Sequence, residues 1–300
     1  MKIGYDTICP ICSGSNITHF SKYPGRFLDC NELVRCQGCK VTFAYELPSP
    51  DTLDDYYAGG NYSEQNKAED ANKFRDFSYK LSESRVKIII KMSQVFDQIP
   101  DVIDIGAGNA IFGKVLQDLR IKSIYSIVEP DQLLTSSYGE YIAHWYKNLA
   151  EVKPKSYDLA VLNQVLEHVP NPVEFMTKCH SILRPGGTIY IDIPFEDYIF
   201  KPSVEPHVIF YSIESLKLLL KNIGFEVLFC NTVGMRHEQA KSFFSRKPSW
   251  KKIFNPWIYL NYWNRFFQKR SINYTIDTFG QFKADRYGGN RQWLRCIAKK

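Results

Sequence analysis

The sequence lacks the features of a membrane-spanning, disordered or fibrous protein. It has no run of about 18 apolar residues, the length that a helix needs to cross a bilayer. Its first ten residues, MKIGYDTICP, contain no apolar segment of a secretory signal, so we expect a cytoplasmic protein. With 44% hydrophobic and 23% charged residues, a chain of 300 residues has an ordinary globular composition and can bury a large core.

Cysteine is scarce outside the N-terminus, because five of the eight cysteines lie within the first 39 residues. Four of these five form two C-x2-C pairs, Cys9/Cys12 and Cys36/Cys39, with 23 residues between the pairs. Each pair can present two thiolates to one Zn2+ at about 2.3 Å, and two pairs complete a tetrahedron. The spacing predicts a closed, structural zinc site with a hairpin between the pairs. A redox-active dithiol is the alternative, but it needs only one pair.

From Asp101 onward, short apolar runs alternate with amphipathic segments. The run at 102–105 stops at the turn Gly106-Ala107-Gly108-Asn109, and apolar residues then recur at helical spacing over 112–119. This order of strand, glycine turn and helix is typical of the nucleotide-binding start of a doubly wound sheet. By itself the turn is a weak signal, because any tight connection between a strand and a helix can use glycine.

The second strand strengthens the nucleotide interpretation. An apolar run at 123–128 ends at Glu129, which lies 23 residues after Gly106. An acidic residue at about this distance is placed to accept hydrogen bonds from ribose hydroxyls. We therefore expect Glu129, followed by Pro130, to lie at a cofactor site.

The segments that follow separate a methyltransferase from a dinucleotide enzyme. DIGAGNA, IVEP, YDLAVLNQVLEHVPNP and LRPGGTIYIDIP resemble, in order and spacing, the motifs of class I S-adenosylmethionine (SAM)-dependent methyltransferases. The two cysteine pairs and the following V-x-F-x-x-x-L-P-S-P stretch resemble the zinc-ribbon-bearing branch of this family, which includes sugar methyltransferases of deoxysugar and surface-polysaccharide pathways. The resemblance implies an α/β fold with a Rossmann-like seven-stranded sheet and a small N-terminal zinc module.

The resemblance also implies a domain division. Residues 1–47 form the zinc-binding module, 48–99 a linker with N-terminal helices, and 100–300 the methyltransferase domain with an insertion at 235–290. The sheet is expected to close with an antiparallel strand at 292–298.

Cofactor contacts are implied by position in the family motifs. The methionine end of SAM is assigned to Asp104, Gly106, Ala107 and Gly108. The ribose is assigned to Glu129 with Pro130. A polar contact to adenine is assigned to Asn148, and the neighbourhood of the sulfonium to Asn163 and Gln164.

Two histidines are candidates for catalysis. His207 lies in the stretch that the family places over the acceptor pocket, and His168 follows the fourth strand. Histidine suits a general base near neutral pH. The neighbours Val204 and Pro206 replace a Tyr and a Glu of the C-methyltransferases, which disfavours C-methylation and leaves O- or N-methylation open. A third histidine, His144, is interpreted as a core residue on the third strand.

Three acidic residues, Asp192, Glu196 and Asp197, cluster after the fifth strand. They could hold Mg2+ for a metal-assisted O-methyl transfer. The alternative, which we favour, is a set of solvated carboxylates or contacts to substrate hydroxyls.

The net charge of +6 comes from one segment. Residues 241–270 contain eight Lys or Arg, ten aromatic residues and no Asp or Glu, and the rest of the chain has 30 basic and 32 acidic residues. Three interpretations remain open for this segment: a peripheral membrane contact, a site for an anionic acceptor such as a nucleotide-sugar, or a lid or dimer contact. Because the rest of the chain is mildly acidic, nucleic acid is disfavoured as a partner.

The sequence therefore predicts a SAM-dependent methyltransferase that acts on a small molecule, in particular a sugar, nucleotide-sugar or glycoconjugate precursor. Two alternatives remain: an RNA base methyltransferase and a SAM-binding scaffold without catalysis. Against an RNA enzyme, Asn163-Gln164-Val165-Leu166 stands where an N-P-P-[FY]-like tetrapeptide would bind a flipped base.

Overall fold

The computed structural model describes residues 5–58, 71–131, 139–244 and 287–300. These residues form two β-sheets, one of four strands and one of seven. None of the described helices is long and apolar enough to cross a membrane.

The smaller sheet is built mainly from the N-terminus. Strands β1 (Ile17–Phe27) and β2 (Cys30–Cys36) form the hairpin expected between the cysteine pairs, and β3 (Thr42–Tyr45) pairs with β2. The fourth strand, β9 (Ile209–Phe210), comes from a distant part of the sequence and pairs with β3. This sheet therefore joins the N-terminal module to the segment that carries His207.

The larger sheet has the strand order β10-β11-β8-β7-β4-β5-β6. Its strands are β4 (Asp101–Ile105), β5 (Ile124–Val128), β6 (Ile142–Tyr146), β7 (Tyr157–Asn163), β8 (Leu183–Pro194), β10 (Glu226–Arg236) and β11 (Arg291–Lys299). The five strands from β8 to β6 are parallel, and β11 lies antiparallel between β8 and β10. The central strands are apolar runs because both of their faces are covered. The Rossmann-like sheet of seven strands and its antiparallel last strand are confirmed.

The described helices are α1 (Pro50–Ala58), α2 (Ala71–Met92), α3 (Ile111–Asp118), α4 (Pro172–Ile182), α5 (Ile213–Ile223) and α6 (His237–Phe244). Local sequence explains where they begin and end. Asn171 caps α4 through a bond to the Glu174 amide, and Pro172 occupies the first helical position. Ser212 and Ser215 form a reciprocal cap on α5, which ends at Gly224 in the left-handed conformation.

One histidine is placed differently from the sequence interpretation. His144 lies on β6 as expected, but it is exposed and not part of the core. The reason is topological: β6 is the edge of the sheet, and the three central residues of this strand are all exposed. Apolar sequence alone does not distinguish an edge strand from a central one.

Residues 245–286, which include most of the basic aromatic segment 241–270, lie outside the described residues. The described parts of the proposed insertion are α6 on one side and Tyr287 to the start of β11 on the other. Tyr287 forms an isolated antiparallel bridge with Val233 of β10. The three interpretations of this segment stay predictions.

Candidate active site

The glycine turn after β4 lies at the carboxyl ends of the parallel strands, where open α/β sheets bind ligands. Gly106 and Gly108 have positive φ angles of 69° and 53°. A Cβ at Gly106 would come within 2.6 Å of Val165, whereas a Cβ at Gly108 would meet no atom of the described residues within 4 Å. The turn is thus packed against Val165 at Gly106. Ala110, the residue that caps the start of α3, also adopts a left-handed conformation.

Glu129 lies beside this turn at the end of β5. Its carboxylate accepts bonds from the amides of Gly108, at 2.7 Å, and Asp131, at 3.0 Å. Only 7% of its surface is exposed, and burial raises its pKa. Each carboxylate oxygen has a second lone pair that can accept from a ligand. The structure therefore brings the glycine turn, Glu129 and the adjoining Pro130 together, as the sequence predicted.

Asn148 follows the third strand of the sheet and is exposed. Its side chain caps a short helix, accepting from the Ala150 amide at 3.0 Å and donating to Glu151 at 2.8 Å. A contact to adenine through Asn148 remains a prediction.

Asn163 and Gln164 occupy the carboxyl end of β7. Gln164 has a positive φ angle of 58°, and both its backbone and side-chain nitrogens donate to the Asp192 carbonyl. Asn163 differs, because its Oδ1 is buried without a hydrogen-bond partner. Of the two residues, Asn163 therefore retains an unused acceptor.

Asp104 lies deep beneath the glycine turn, with 1% of its surface exposed. Tyr125 donates to its Oδ2 at 2.7 Å, and the Asn163 side chain interacts with the same carboxyl group. Burial raises the pKa of Asp104 to about 7, although the Tyr125 bond and the charge of Arg85 act in the opposite direction. The pKa of this carboxyl group therefore lies close to neutral pH.

Arg85, on α2, is a residue that the sequence interpretation missed. It is buried beside Asp192, and its Nε donates to Asp192 Oδ2 at 2.7 Å. Arg295 of β11 shares this carboxylate at 3.1 Å and also donates to Ser84. One Nη of Arg85 remains buried without a partner. In the sequence, Arg85 directly precedes Val86, a core residue of α2. This neighbour is the signal that could have identified Arg85 as buried.

The acidic cluster after β8 is not a solvated cluster, and two of its carboxylates already have cationic partners. Asp192 is fully buried between the two arginines, and Asp197 is fully buried beside Lys201 and His207. Glu196 is only partly exposed and accepts from the Tyr198 hydroxyl at 3.4 Å. The interpretation as solvated carboxylates is therefore wrong for Asp192 and Asp197. Among the described residues the three acids do not form a compact group of metal ligands, and a contact to substrate hydroxyls stays a prediction. Sequence spacing could not reveal cations contributed by α2 and β11.

His207 and His168 are brought together, with ring centres 4.9 Å apart. The Nδ1 of His207 lies 3.0 Å from Asp197 Oδ2, although the two are poorly aligned for a hydrogen bond. Burial alone would raise the pKa of Asp197, but the charges of His207 and Lys201 lower it below its usual value. An ionised Asp197 therefore faces the His207 ring.

His168 and Glu167 form the buried side of the same cluster. Burial, together with the charge of His207, lowers the pKa of His168 to about 3, so this ring is neutral. Burial raises the pKa of Glu167 well above its usual value, and neither of its carboxyl oxygens has a hydrogen-bond partner. Glu167, His168 and His207 each present a ligand atom within 4.8 Å of the others, which is compact enough to hold a metal ion.

The four cysteines also converge. Their sulfur atoms all lie within 4.8 Å of one another, with 3.4 Å between Cys9 and Cys39 and 3.6 Å between Cys12 and Cys36. Tetrahedral ligands at about 2.3 Å from Zn2+ are about 3.8 Å apart, so the arrangement fits this ion. Ser13 and Lys40, which follow the two pairs, adopt the positive φ angles that favour glycine in such turns. Their side chains did not prevent the turns from forming.

A family described as "Methyltransferase domain" matches residues 73–228, just over half of the chain. The match includes α2, the glycine turn, Glu129 and both candidate histidines. The chain belongs to this methyltransferase-domain family. The match excludes the four cysteines and β11, so it does not test the zinc-ribbon branch.

Relatives of this methyltransferase-domain protein include ubiquinone biosynthesis O-methyltransferases. The protein from Vibrio atlanticus is 29% identical over 110 residues, covering 33% of this chain and 46% of that protein. The protein from Yersinia pestis is 26% identical over 121 residues, covering 37% and 49%. The chain spans about half the length of the relatives that it matches.

Two solved structures resemble this methyltransferase-domain protein at low identity. A SAM-dependent methyltransferase from Archaeoglobus fulgidus has a TM-score of 0.48 and 20% identity, covering 82% of this chain and all of that one. The 1,6-didemethyltoxoflavin-N1-methyltransferase from Burkholderia thailandensis has a TM-score of 0.49 and 14% identity, covering 89% and 98%. The family assignment rests on the sequence match and not on these two structures.

Proposed function

We propose that the protein is a cytosolic methyltransferase that transfers the methyl group of SAM to a small molecule. One observation carries the proposal: a buried guanidinium nitrogen of Arg85 and the buried oxygen Asn163 Oδ1 lack hydrogen-bond partners, and both residues interact with the Asp104 carboxyl group. Buried polar groups are rarely left unpaired, so unpaired groups around one carboxyl indicate a polar ligand. The free donor of Arg85 suits the carboxylate of the methionine moiety, and the free acceptor of Asn163 suits its ammonium group.

The other end of the cofactor is assigned to the rim of the glycine turn. Glu129 accepts from the ribose hydroxyls, and the glycines of the turn, which have no side chains, let the ligand approach the backbone. Pro130 and Asn148 line the adenine side. The sulfonium then lies near Asn163 and Gln164, at the end of β7.

The acceptor is assigned to the side where His207 lies. SAM supplies a methyl group already activated by its sulfonium. The protein therefore contributes orientation and a base. Because Asp197 faces Nδ1, His207 carries its proton there, and its Nε2 accepts the proton of an acceptor hydroxyl or amine. Asp197 then stabilises the charged imidazolium.

For the acceptor we propose a sugar, nucleotide-sugar or glycoconjugate precursor, on the strength of the N-terminal module. Incubation with isotope-labelled SAM and separate pools of nucleotide-sugars, glycolipid extract, catechols and RNA tests this class. Label in the sugar pools supports it. Label only in the catechols would contradict a sugar acceptor and assign a catechol acceptor instead. Label only in RNA would contradict a small-molecule function.

Replacing Arg85 with methionine is expected to weaken S-adenosylhomocysteine binding about tenfold to a hundredfold, because a charge-assisted bond is lost. Binding of methylthioadenosine, which has no amino-acid carboxylate, should stay nearly unchanged. Glu129→Ala should weaken both ligands, because both contain the ribose. Calorimetric titration measures the affinity of both ligands for the wild-type protein, Arg85→Met and Glu129→Ala. Equal losses for both ligands in Arg85→Met would contradict the assigned orientation.

A second mechanism, metal-assisted transfer, is favoured by the compact set Glu167, His168 and His207. A divalent cation there would activate the acceptor oxygen as a Lewis acid. In that case turnover is lost after treatment with a chelator that leaves the zinc content unchanged. Added Mg2+ or Mn2+ restores turnover of the wild-type protein. The same ions do not restore turnover of the Glu167→Gln variant. Full turnover after chelation would leave the histidine base as the mechanism.

A further inference from the structure

The segment that carries His207 is held by the N-terminal module. Two residues after His207, β9 begins and pairs with β3, with Ile209 opposite Phe43 and Phe210 opposite Thr42. The Ala44 amide also donates to the Val208 carbonyl at 2.8 Å. The acceptor-side segment is thus the edge strand of a sheet whose other three strands are N-terminal.

The C-terminal part of β1 forms a second set of hydrogen bonds with the same segment. The buried Tyr23 hydroxyl donates to the His207 carbonyl at 2.9 Å, and the Val204 amide donates to the Pro24 carbonyl at 3.0 Å. The Arg26 amide donates to the Glu205 carboxylate. These bonds join residues more than 175 positions apart in sequence, so they are set by the fold and not by local turn geometry.

Gly25 shows how closely the two segments approach. A Cβ at this position would lie 2.5 Å from both the Glu205 carboxylate and the Ser203 hydroxyl, and its φ angle is +113°. The backbone of β1 therefore lies directly against residues 203–205.

We propose that the N-terminal module positions the acceptor-side histidine, and that Tyr23 is the positioning residue that acts on His207. Asp197 orients the His207 ring, whereas Tyr23 fixes the backbone from which this ring projects. A catalytic base must be held within a fraction of an ångström of its productive position. The proposal rests on the proposed role of His207.

The residues assigned to the cofactor depend on other elements. Asp104, Glu129 and Asn163 lie at the ends of β4, β5 and β7. Among the described residues, Asp104 and Glu129 accept hydrogen bonds from Tyr125, Gly108 and Asp131, none of which belongs to the N-terminal module. A change at Tyr23 should therefore affect the acceptor side and leave cofactor affinity intact.

Tyr23→Phe in the full-length protein removes only the hydroxyl. Amide hydrogen exchange, followed by mass spectrometry, should become about tenfold faster in peptides covering 203–210 and stay unchanged in those covering 104–110. Tyr5→Phe is the matched control, because Tyr5 donates to Glu32 within the module and not to the acceptor segment. Unchanged exchange at 203–210 in Tyr23→Phe would overturn the proposal.

Kinetics with the acceptor identified by the labelled-SAM assay give a second test. Tyr23→Phe should reduce kcat about tenfold, with the acceptor KM and the S-adenosylhomocysteine affinity nearly unchanged. In the His207→Ala background, Tyr23→Phe should reduce kcat no further, because the residue that it positions is gone. An equal reduction in both backgrounds would overturn the proposal. Wild-type turnover of His207→Ala alone would instead contradict the proposed role of His207.

Discussion

Replacing His207 with alanine is expected to lower kcat by a factor of about 10² to 10⁴, the usual contribution of a positioned general base. S-adenosylhomocysteine affinity should stay within about twofold of wild type, because the side chains assigned to the cofactor lie elsewhere. The physical reason is the position of His207, whose Nδ1 lies 3.0 Å from the buried, ionised carboxylate of Asp197. Steady-state kinetics with labelled SAM and calorimetry with S-adenosylhomocysteine measure the two quantities.

His144→Ala is the matched control for this prediction, because His144 is exposed on the edge strand β6 and lies outside the cluster. It should keep wild-type turnover. Added imidazole should restore part of the activity of His207→Ala by replacing the missing base. If His207→Ala turns over as fast as wild type, the ring is neither the base nor a required metal ligand, and both proposed mechanisms are contradicted.

The periodicity of the sequence predicted the large sheet well, because its central strands are uninterrupted apolar runs bounded by turn residues. The cap at Asn171 and the stop at Gly224 are local signals and were visible for the same reason. The placement of His144 failed because burial depends on which strand is at the edge. Strand order arises from long-range pairing, which a single sequence does not display.

The same distinction between local sequence signals and long-range contacts applies to the candidate site. Glycine turns and strand-end acids are local, so Gly106, Gly108 and Glu129 could be identified from spacing. The partners of Asp192 and Asp197 could not, because Arg85, Arg295 and His207 are brought to them by tertiary folding. A carboxylate that looks exposed in a loop sequence can thus be an internal counter-ion. The role of the N-terminal sheet in holding His207 was hidden for the same reason.

Loss of zinc is expected to be the most destabilising change in the N-terminal module. Cys36→Ser removes one of four thiolates that converge within 4.8 Å, and binding of structural zinc typically contributes about 10 to 16 kcal/mol of apparent folding free energy in small domains. We expect the bound zinc to fall from about one per chain to nearly none. The thermal unfolding transition of the module should move down or disappear. Plasma mass spectrometry measures the metal, and hydrogen exchange of residues 9–45 measures the unfolding.

Cys30→Ser is the matched control, because Cys30 lies in the same module, is buried, and bonds to the Glu46 carbonyl instead of joining the other sulfurs. It should keep its zinc. A wild-type protein that is purified without metal, and whose exchange does not change when zinc is added, would contradict the zinc assignment. If zinc holds the module and the module holds the acceptor segment, Cys36→Ser should also speed exchange at 203–210. Exchange at the glycine turn should change little, because the amides of this turn donate to Val128 and Glu129 of the large sheet.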